Sequence, residues 1–328
     1  MMQSTTRLEI NIKAIYTRSG ELSVVWYPSS PTVVMIRTLR SDVKVPVFAF
    51  GSGTALYGRD ATSQVVQALQ TGFKHLDAAQ FYSNEKSVGE GLAIYLSSTS
   101  QDRSSVFVTT KFGKKDPGQT AKDVLKTELA NLKLDYVDLY LIHTPVAFEG
   151  KLGTLWKEFE ELKKEGLAKE IGISNFRVGD LEELLGSIES NGGEVPAIHQ
   201  IEFHPYLLKY NLPILEIHKK YGITLASYGG QTPVTKKDGP VTAELQRIAG
   251  TLETETGKKV TPGQVLLKWL DAKEAIIVTT SSKKARLEEY LAAADLPVLA
   301  PEDVKAIDAA GMKQHFRGFM HHMDRPRG

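Results

Sequence analysis

Short apolar, β-branched runs return along most of this chain, and they restrict its fold more than anything else in it. They end near Phe50, Asp77, Lys111, His143, Ser174, Glu202, Ser227 and Thr279. Between them lie stretches with helical character, namely Ser63 to Gln70, Asn84 to Leu96, Thr120 to Leu132, Leu152 to Glu165, Asp180 to Glu189, Leu212 to Tyr221, Pro262 to Leu270 and Lys283 to Ala293. Most strand ends are separated by about 30 residues, the length of a strand with its crossover helix. VFVTTK, VDLYLIH and EIGIS have the composition of parallel strands covered on both faces. The pattern predicts an α/β fold, a (β/α)8 TIM barrel. MIRTL and VKVPVFAF, flanking Arg40, Ser41 and Asp42, predict an N-terminal β-hairpin leading into the first barrel strand. The interval after strand seven is longer, with the loop GGQTPVTKKDGP and an extra helix over Val241 to Glu253. Such excess chain is usually functional.

A barrel brings the residues at the C-terminal ends of its strands to one rim, where TIM-barrel active sites lie. Asp77 ends strand two, Tyr82 follows it in LDAAQFYSNE, Lys111 ends strand three and His143 follows strand four. Singly, each has a structural explanation: a packed tyrosine, a helix-capping aspartate, a satisfied core histidine. Their joint placement favours proton transfer. A tyrosine, with an ordinary pKa of about 10, is a proton donor at neutral pH when a cation stabilises its phenolate. Lys111 supplies that cation, Asp77 holds the ammonium, and His143 donates a hydrogen bond that orients a substrate oxygen beside Tyr82. His199 and His204, in AIHQIEFHPYL, lack the carboxylates of a metal site and read as structural; His321 and His322 read as solvated. No metal is expected.

The chain has no cysteine, which removes disulfides, thiolate nucleophiles and cysteine-ligated zinc together. Lys and Arg number 40 against 39 Asp and Glu, spread along the chain, so neither nucleic acid nor an anionic membrane is the expected partner. No apolar run approaches the roughly 20 residues of a membrane span. Residues 1–33 are expected to be an extension of unknown role, and residues 34–328 a single catalytic barrel. In the extension, Glu9 and Glu21 and the prolines of VVWYPSSPTVV argue against a targeting peptide, so a cytoplasmic location is expected. No coiled-coil repeat or sustained exposed apolar stripe makes the oligomeric state legible, and a monomer is expected only from the family resemblance that follows.

From Met35 to the last helix the chain resembles the aldo-keto reductases. The matching segments are GFKHLDAAQFYSNE, VTTK, DYVDLYLIHTP, IGISNF, QIEFHPYL and VTTSSKKARLEE, in family order and spacing. The resemblance implies NADPH-dependent reduction of a small carbonyl compound, with Asp77, Tyr82, Lys111 and His143 as the catalytic tetrad and Tyr82 as general acid. It places Gly53 and Thr54 beside the cofactor, and Ser174, Asn175 and Gln200 at the nicotinamide carboxamide. Ser227 or Tyr228 would face the nicotinamide ring. Ser281, Ser282, Lys283, Arg286 and Glu289 would hold the adenosine half, with the Arg286 fork suited to a 2′-phosphate. ASYGGQTPV and VTTSSK look most like a fungal branch that reduces dicarbonyls, keto amides and conjugated polyketones. The chain departs from most relatives at Thr280 (usually lysine), Tyr290 (usually asparagine) and Ala55 (commonly tryptophan). YSNEK also matches the Tyr-Lys spacing of short-chain dehydrogenases, but Tyr82 precedes its helix and GSGTAL lacks the third glycine of a dinucleotide fingerprint. A Schiff-base lyase would need a neutral Lys111, which Asp77 opposes. An NADPH-binding sensor with little turnover is the remaining alternative.

Overall fold

The computed structural model describes strand residues Lys13–Tyr16 and Leu22–Val25, then residues 34–236 and 238–325. The chain divides into two units, residues 1–33 and 34–328. In the first, β1 (Lys13–Tyr16) and β2 (Leu22–Val25) pair antiparallel with Lys13 opposite Val25. The rest of that unit, including most of VVWYPSSPTVV and the targeting question attached to it, lies outside the described residues.

In the second unit β3 (Ile36–Thr38) and β4 (Lys44–Pro46) form the expected hairpin. Eight strands follow: β5 (Phe48–Gly51), β6 (His75–Asp77), β7 (Phe107–Phe112), β8 (Val137–Ile142), β9 (Ala168–Ser174), β10 (Ile198–Glu202), β11 (Thr224–Tyr228) and β12 (Ile276–Thr279). Each pairs parallel with the next and β12 closes on β5, giving the expected barrel. The helices are α1 (Thr62–Thr71), α2 (Glu85–Thr99), α3 (Ala121–Leu132), α4 (Leu152–Lys164), α5 (Val178–Asn191), α6 (Leu208–Tyr221), α7 (Thr232–Thr235), α8 (Val241–Thr256), α9 (Pro262–Ala272), α10 (Lys284–Ala292) and α11 (Pro301–Gly311).

Every residue of β7 and β8 is buried, because helices cover one face and the barrel interior the other. Between strands and helices lies the main apolar core, while Leu39 and Val45 of the hairpin join Phe107, Leu139, Ile198 and Ile276 in a smaller cluster. Polar ends set the helix starts: Thr120 with Asp123, and Thr261 with Gln264, form reciprocal capping boxes that satisfy otherwise unpaired amides. α6 corrects the sequence reading. It begins at Leu208 rather than Leu212, because the backbone carries Pro213 inside the first turns of the helix. β6 is likewise shorter than GFKHLD, since Phe73 turns into the core before the strand begins. The extra chain after β11 carries the expected helix as α8, while the segment expected as a loop winds one further short helix, α7.

Candidate active site

The C-terminal rim of the barrel encloses a cavity of about 310 Å³. Strand alternation decides what enters it. Gln200 pairs in register with Ala226, and Glu202 with Tyr228, so Gln200 and Tyr228 share the interior face and Ser227 takes the other. Tyr228 therefore lines the cavity, whereas Ser227 is buried with its hydroxyl donating to the Phe203 carbonyl at 2.8 Å. Of the two residues expected to face a nicotinamide, Ser227 does not reach the cavity.

Asp77 and Lys111 project inward from neighbouring strands. Lys111 is fully buried; its Nζ donates to Asp77 Oδ1, to the Ala78 carbonyl at 2.9 Å and towards the Tyr82 hydroxyl at 3.4 Å. Gln200 Nε2 donates to the second Asp77 oxygen at 2.7 Å, so one carboxylate holds two donors. Tyr82 sits in a single turn of 3-10 helix, Gln80–Tyr82. Its ring packs over Gly53, where a Cβ would lie 2.9 Å from Tyr82 Cζ. The His143 ring meets it edge-on, centroids 5.6 Å apart, and Phe81 lies against His143 at 5.4 Å.

Burial, reinforced by the negative charge of Asp77, raises the Tyr82 hydroxyl above the ordinary tyrosine range. The phenol therefore keeps its proton. Burial lowers Lys111, and the charge and hydrogen bond of Asp77 oppose that fall. His143 is lowered to about 3, first by burial and then by the Lys111 charge, so its imidazole is neutral. This arrangement can hold a protonated phenol beside a buried cation, ready to donate to an oxygen that gains negative charge.

A profile described as the aldo/keto reductase family matches residues 48–311. The chain belongs to the aldo/keto reductase family. It is similar to an NAD/NADP-dependent indole-3-acetaldehyde reductase of Schizosaccharomyces pombe, 36% identical over 86% of this chain and 97% of the relative. A D/L-glyceraldehyde reductase of Hypocrea jecorina is 32% identical over 84% of this chain and 87% of its own. Among solved structures, a Bombyx mori aldo-keto reductase in complex with NADP superposes with a TM-score of 0.72 at 27% identity, covering 84% of this chain and 92% of that one.

Of the residues that the family resemblance puts at the cofactor, Gly53, Thr54, Gln200 and Tyr228 line the cavity, joined by Gly229, Gly230, Lys236, Thr280, Tyr290 and Phe319. Ser174 and Asn175 lie behind it, each 1% exposed. The Ser174 hydroxyl donates to the Gln200 carbonyl at 2.8 Å, and Asn175 Nδ2 donates to the His143 carbonyl at 2.9 Å. Tyr228 in turn donates its hydroxyl to Asn175 Oδ1 at 2.7 Å. Ser281, Ser282, Lys283, Arg286 and Glu289 surround the start of α10, outside the cavity lining. Arg286 Nη1 and the Thr261 hydroxyl share Glu289 Oε1 at 2.9 and 2.7 Å. His199 and His204 are buried, and among the described residues no cluster of three or more acids, histidines or cysteines could hold a metal.

His322 corrects the reading of the tail. It is half-buried, with Nε2 2.9 Å from the Asn175 carbonyl oxygen. Phe319 and Glu202 were also not singled out for the site, although Phe319 forms part of its wall and Glu202 anchors the tail beside it. Glu202 accepts from main-chain amides 116 and 117 positions away, and His322 reaches a carbonyl 147 positions away; such backbone partners leave no local pattern in the sequence.

Proposed function

We propose that the protein reduces a ketone or aldehyde to an alcohol with NADPH, with Tyr82 as general acid. The observation that carries this reading is the Tyr82 hydroxyl held 3.4 Å from a fully buried Lys111 that is ion-paired to Asp77. When bound, NADPH supplies the hydride. The cavity suits a dinucleotide: Tyr228, Val278, Tyr290 and Phe319 offer apolar surface, Thr54 and Thr280 hydroxyls, and Lys236 a cation. Gly53, Gly229 and Gly230 also line it, each packed so closely that a Cβ would meet Tyr82, Glu202 or Leu270. Gln200, Ser174 and Asn175 are the proposed partners of the nicotinamide carboxamide, and Arg286 with Lys283 those of the 2′-phosphate. Relatives named for NAD/NADP dependence and for an NADP complex support that cofactor.

The residues divide the work by charge. Tyr82 donates its proton to the carbonyl oxygen as that oxygen becomes an alkoxide. Lys111 stabilises the phenolate left behind, and Asp77 keeps the ammonium in place. Neutral His143 hydrogen-bonds and orients the carbonyl oxygen, without competing as an acid. The substrate class includes aldehydes, as the names of the fungal relatives suggest, and extends to dicarbonyls and keto amides on the resemblance of ASYGGQTPV and VTTSSK. Among the described residues no helix is long and apolar enough to cross a membrane. A monomeric, cytosolic enzyme completes the reading, and sedimentation and cell fractionation test it.

The decisive assay follows NADPH oxidation against a panel of aromatic aldehydes, diketones and keto amides, for the wild type and Tyr82→Phe. The expected result is turnover by the wild type, loss of kcat by orders of magnitude in the variant, and nearly unchanged NADPH affinity. Equal losses in affinity and turnover would remove Tyr82 from the proton-donor role.

A further inference from the structure

One buried carboxylate on the rim takes no part in the proposed chemistry. Glu202 ends β10 and is 0% exposed. A carboxyl group so placed needs hydrogen-bond partners. Two come from the chain after α11: the Gly318 and Phe319 amides donate to Glu202, each at 2.9 Å. His204 Nε2 lies 3.3 Å from the same carboxylate. Beyond this fork, Arg317 Nε donates to Asp324 at 2.7 Å and His322 reaches the Asn175 carbonyl.

The fork fixes the backbone that carries Phe319. Its ring meets Tyr228 edge-on with centroids 5.9 Å apart, and the Lys236 ammonium lies 3.9 Å from its centre. Lys236 follows α7 directly, so Phe319 touches both the barrel strand and the segment after β11. Phe319, Tyr228 and Lys236 all line the cavity.

We propose that Glu202 is a positioning residue for the dinucleotide: by clamping the Gly318 and Phe319 amides it makes the tail one wall of the cavity and joins it, through Lys236 on Phe319, to the segment after β11. A bound dinucleotide then leaves only when this wall opens. The inference rests on the cavity being the dinucleotide site.

Two readouts on the full-length chain test it. Trypsin cleavage after Arg317 of the protein without cofactor reports tail release, because Arg317 is only 7% exposed when the tail is docked. Fluorescence of NADPH on displacement gives its dissociation rate. Loss of a charge-assisted pair of hydrogen bonds should weaken docking by about tenfold or more. Glu202→Gln should therefore be cut after Arg317 about tenfold faster than wild type and release NADPH faster. Phe319→Ala keeps the amide fork, so its tail should stay protected while NADPH release accelerates; this variant also carries the test if Glu202→Gln does not fold. Wild-type protection in a folded Glu202→Gln would remove Glu202 as the anchor, and unchanged NADPH release in Phe319→Ala would remove the tail as a wall. If the wild type does not bind NADPH, the functional reading fails instead, and cleavage after Arg317 still tests the anchor.

Discussion

Gly53→Ala tests whether the position of the Tyr82 ring matters to the chemistry. The Gly53 backbone, φ −79° and ψ −161°, is extended and suits alanine, so the substitution acts through its methyl group alone. That methyl would meet Tyr82 Cζ at 2.9 Å and both Cε atoms at 3.1 Å. Carbon atoms rest at about 3.5–4.0 Å, so the ring must retreat by roughly 0.6–1 Å. It is enclosed by Lys111 at its hydroxyl and by the rings of His143 and Tyr57, with centroids 5.6 and 6.5 Å away. A misplacement of about 1 Å in a catalytic group costs on the order of 100-fold in rate, or about 3 kcal/mol in the barrier. Overpacking should cost a further ~1–3 kcal/mol in stability. The assay is single-turnover NADPH oxidation at saturating cofactor, in Gly53→Ala, Tyr82→Phe and the double variant. If Gly53 acts through Tyr82, the double variant should be no slower than Tyr82→Phe alone. Near-wild-type turnover in a folded Gly53→Ala, or multiplicative losses in the double variant, would refute the reasoning.

Lys111→Met leaves Asp77 buried with Gln200 as its remaining side-chain donor, and unpairing a buried ion pair typically costs about 3–5 kcal/mol; urea denaturation should show a loss of that size, and a loss below ~1 kcal/mol would mean the pair is not a buried charge pair in solution. Glu85, behind the rim, is raised by burial to about 7 against an ordinary 4.5, while a hydrogen bond from Thr110 opposes the rise. The folded state therefore binds this proton more tightly than the unfolded state, and wild-type stability falls as pH rises between those two values. The charged form should cost up to roughly 3 kcal/mol above the window. Glu85→Gln, still able to accept from Thr110, should match wild type near about pH 4 and exceed it near about pH 8; a pH-independent difference in Tm would sink the assignment. Arg286→Ala should raise KM for NADPH by about tenfold or more and leave KM for NADH nearly unchanged, and equal changes for both cofactors would remove Arg286 from the 2′-phosphate.

The barrel was legible because buried parallel strands must be apolar on both faces, and each expected strand end falls within one residue of an observed one. Boundaries failed where local and tertiary preferences diverge: α6 starts four residues early because the helix tolerates Pro213, and β6 gives up Phe73 to the core. At the rim, the strand-end positions of Asp77, Lys111 and His143 were readable and came together in the fold. The side of β11 that faces inward was not readable from SYGGQ alone; register with β10 turns Tyr228 in and Ser227 out. His322 was expected to be solvated, yet its partner is a backbone carbonyl, which has no sequence signature. Glu202 was visible only as a strand end, since its donors are main-chain amides 116 and 117 positions away.

Under the proposed function, Asp77 explains why Tyr82 would hold its proton until a substrate is in place. Its negative charge raises Tyr82 and at the same time opposes the lowering of Lys111 by burial. Before reaction, the carboxylate and the dry surroundings thus keep the phenol protonated, and the ammonium beside it has no phenolate to neutralise. In the proposed reaction a carbonyl oxygen at the phenol becomes negative only as the hydride arrives, and proton transfer then moves that charge onto Tyr82, beside Lys111. The stabilisation is stronger in the transition state than in the resting site, the condition for raising kcat rather than merely binding substrate. A tetrad without Asp77 would bury Lys111 with no carboxylate to support its charge, and one without Lys111 would leave two negative groups facing each other as the proton departs. In the proposed reaction the acid, the cation and its carboxylate act as one unit, and single substitutions among them should be strongly non-additive.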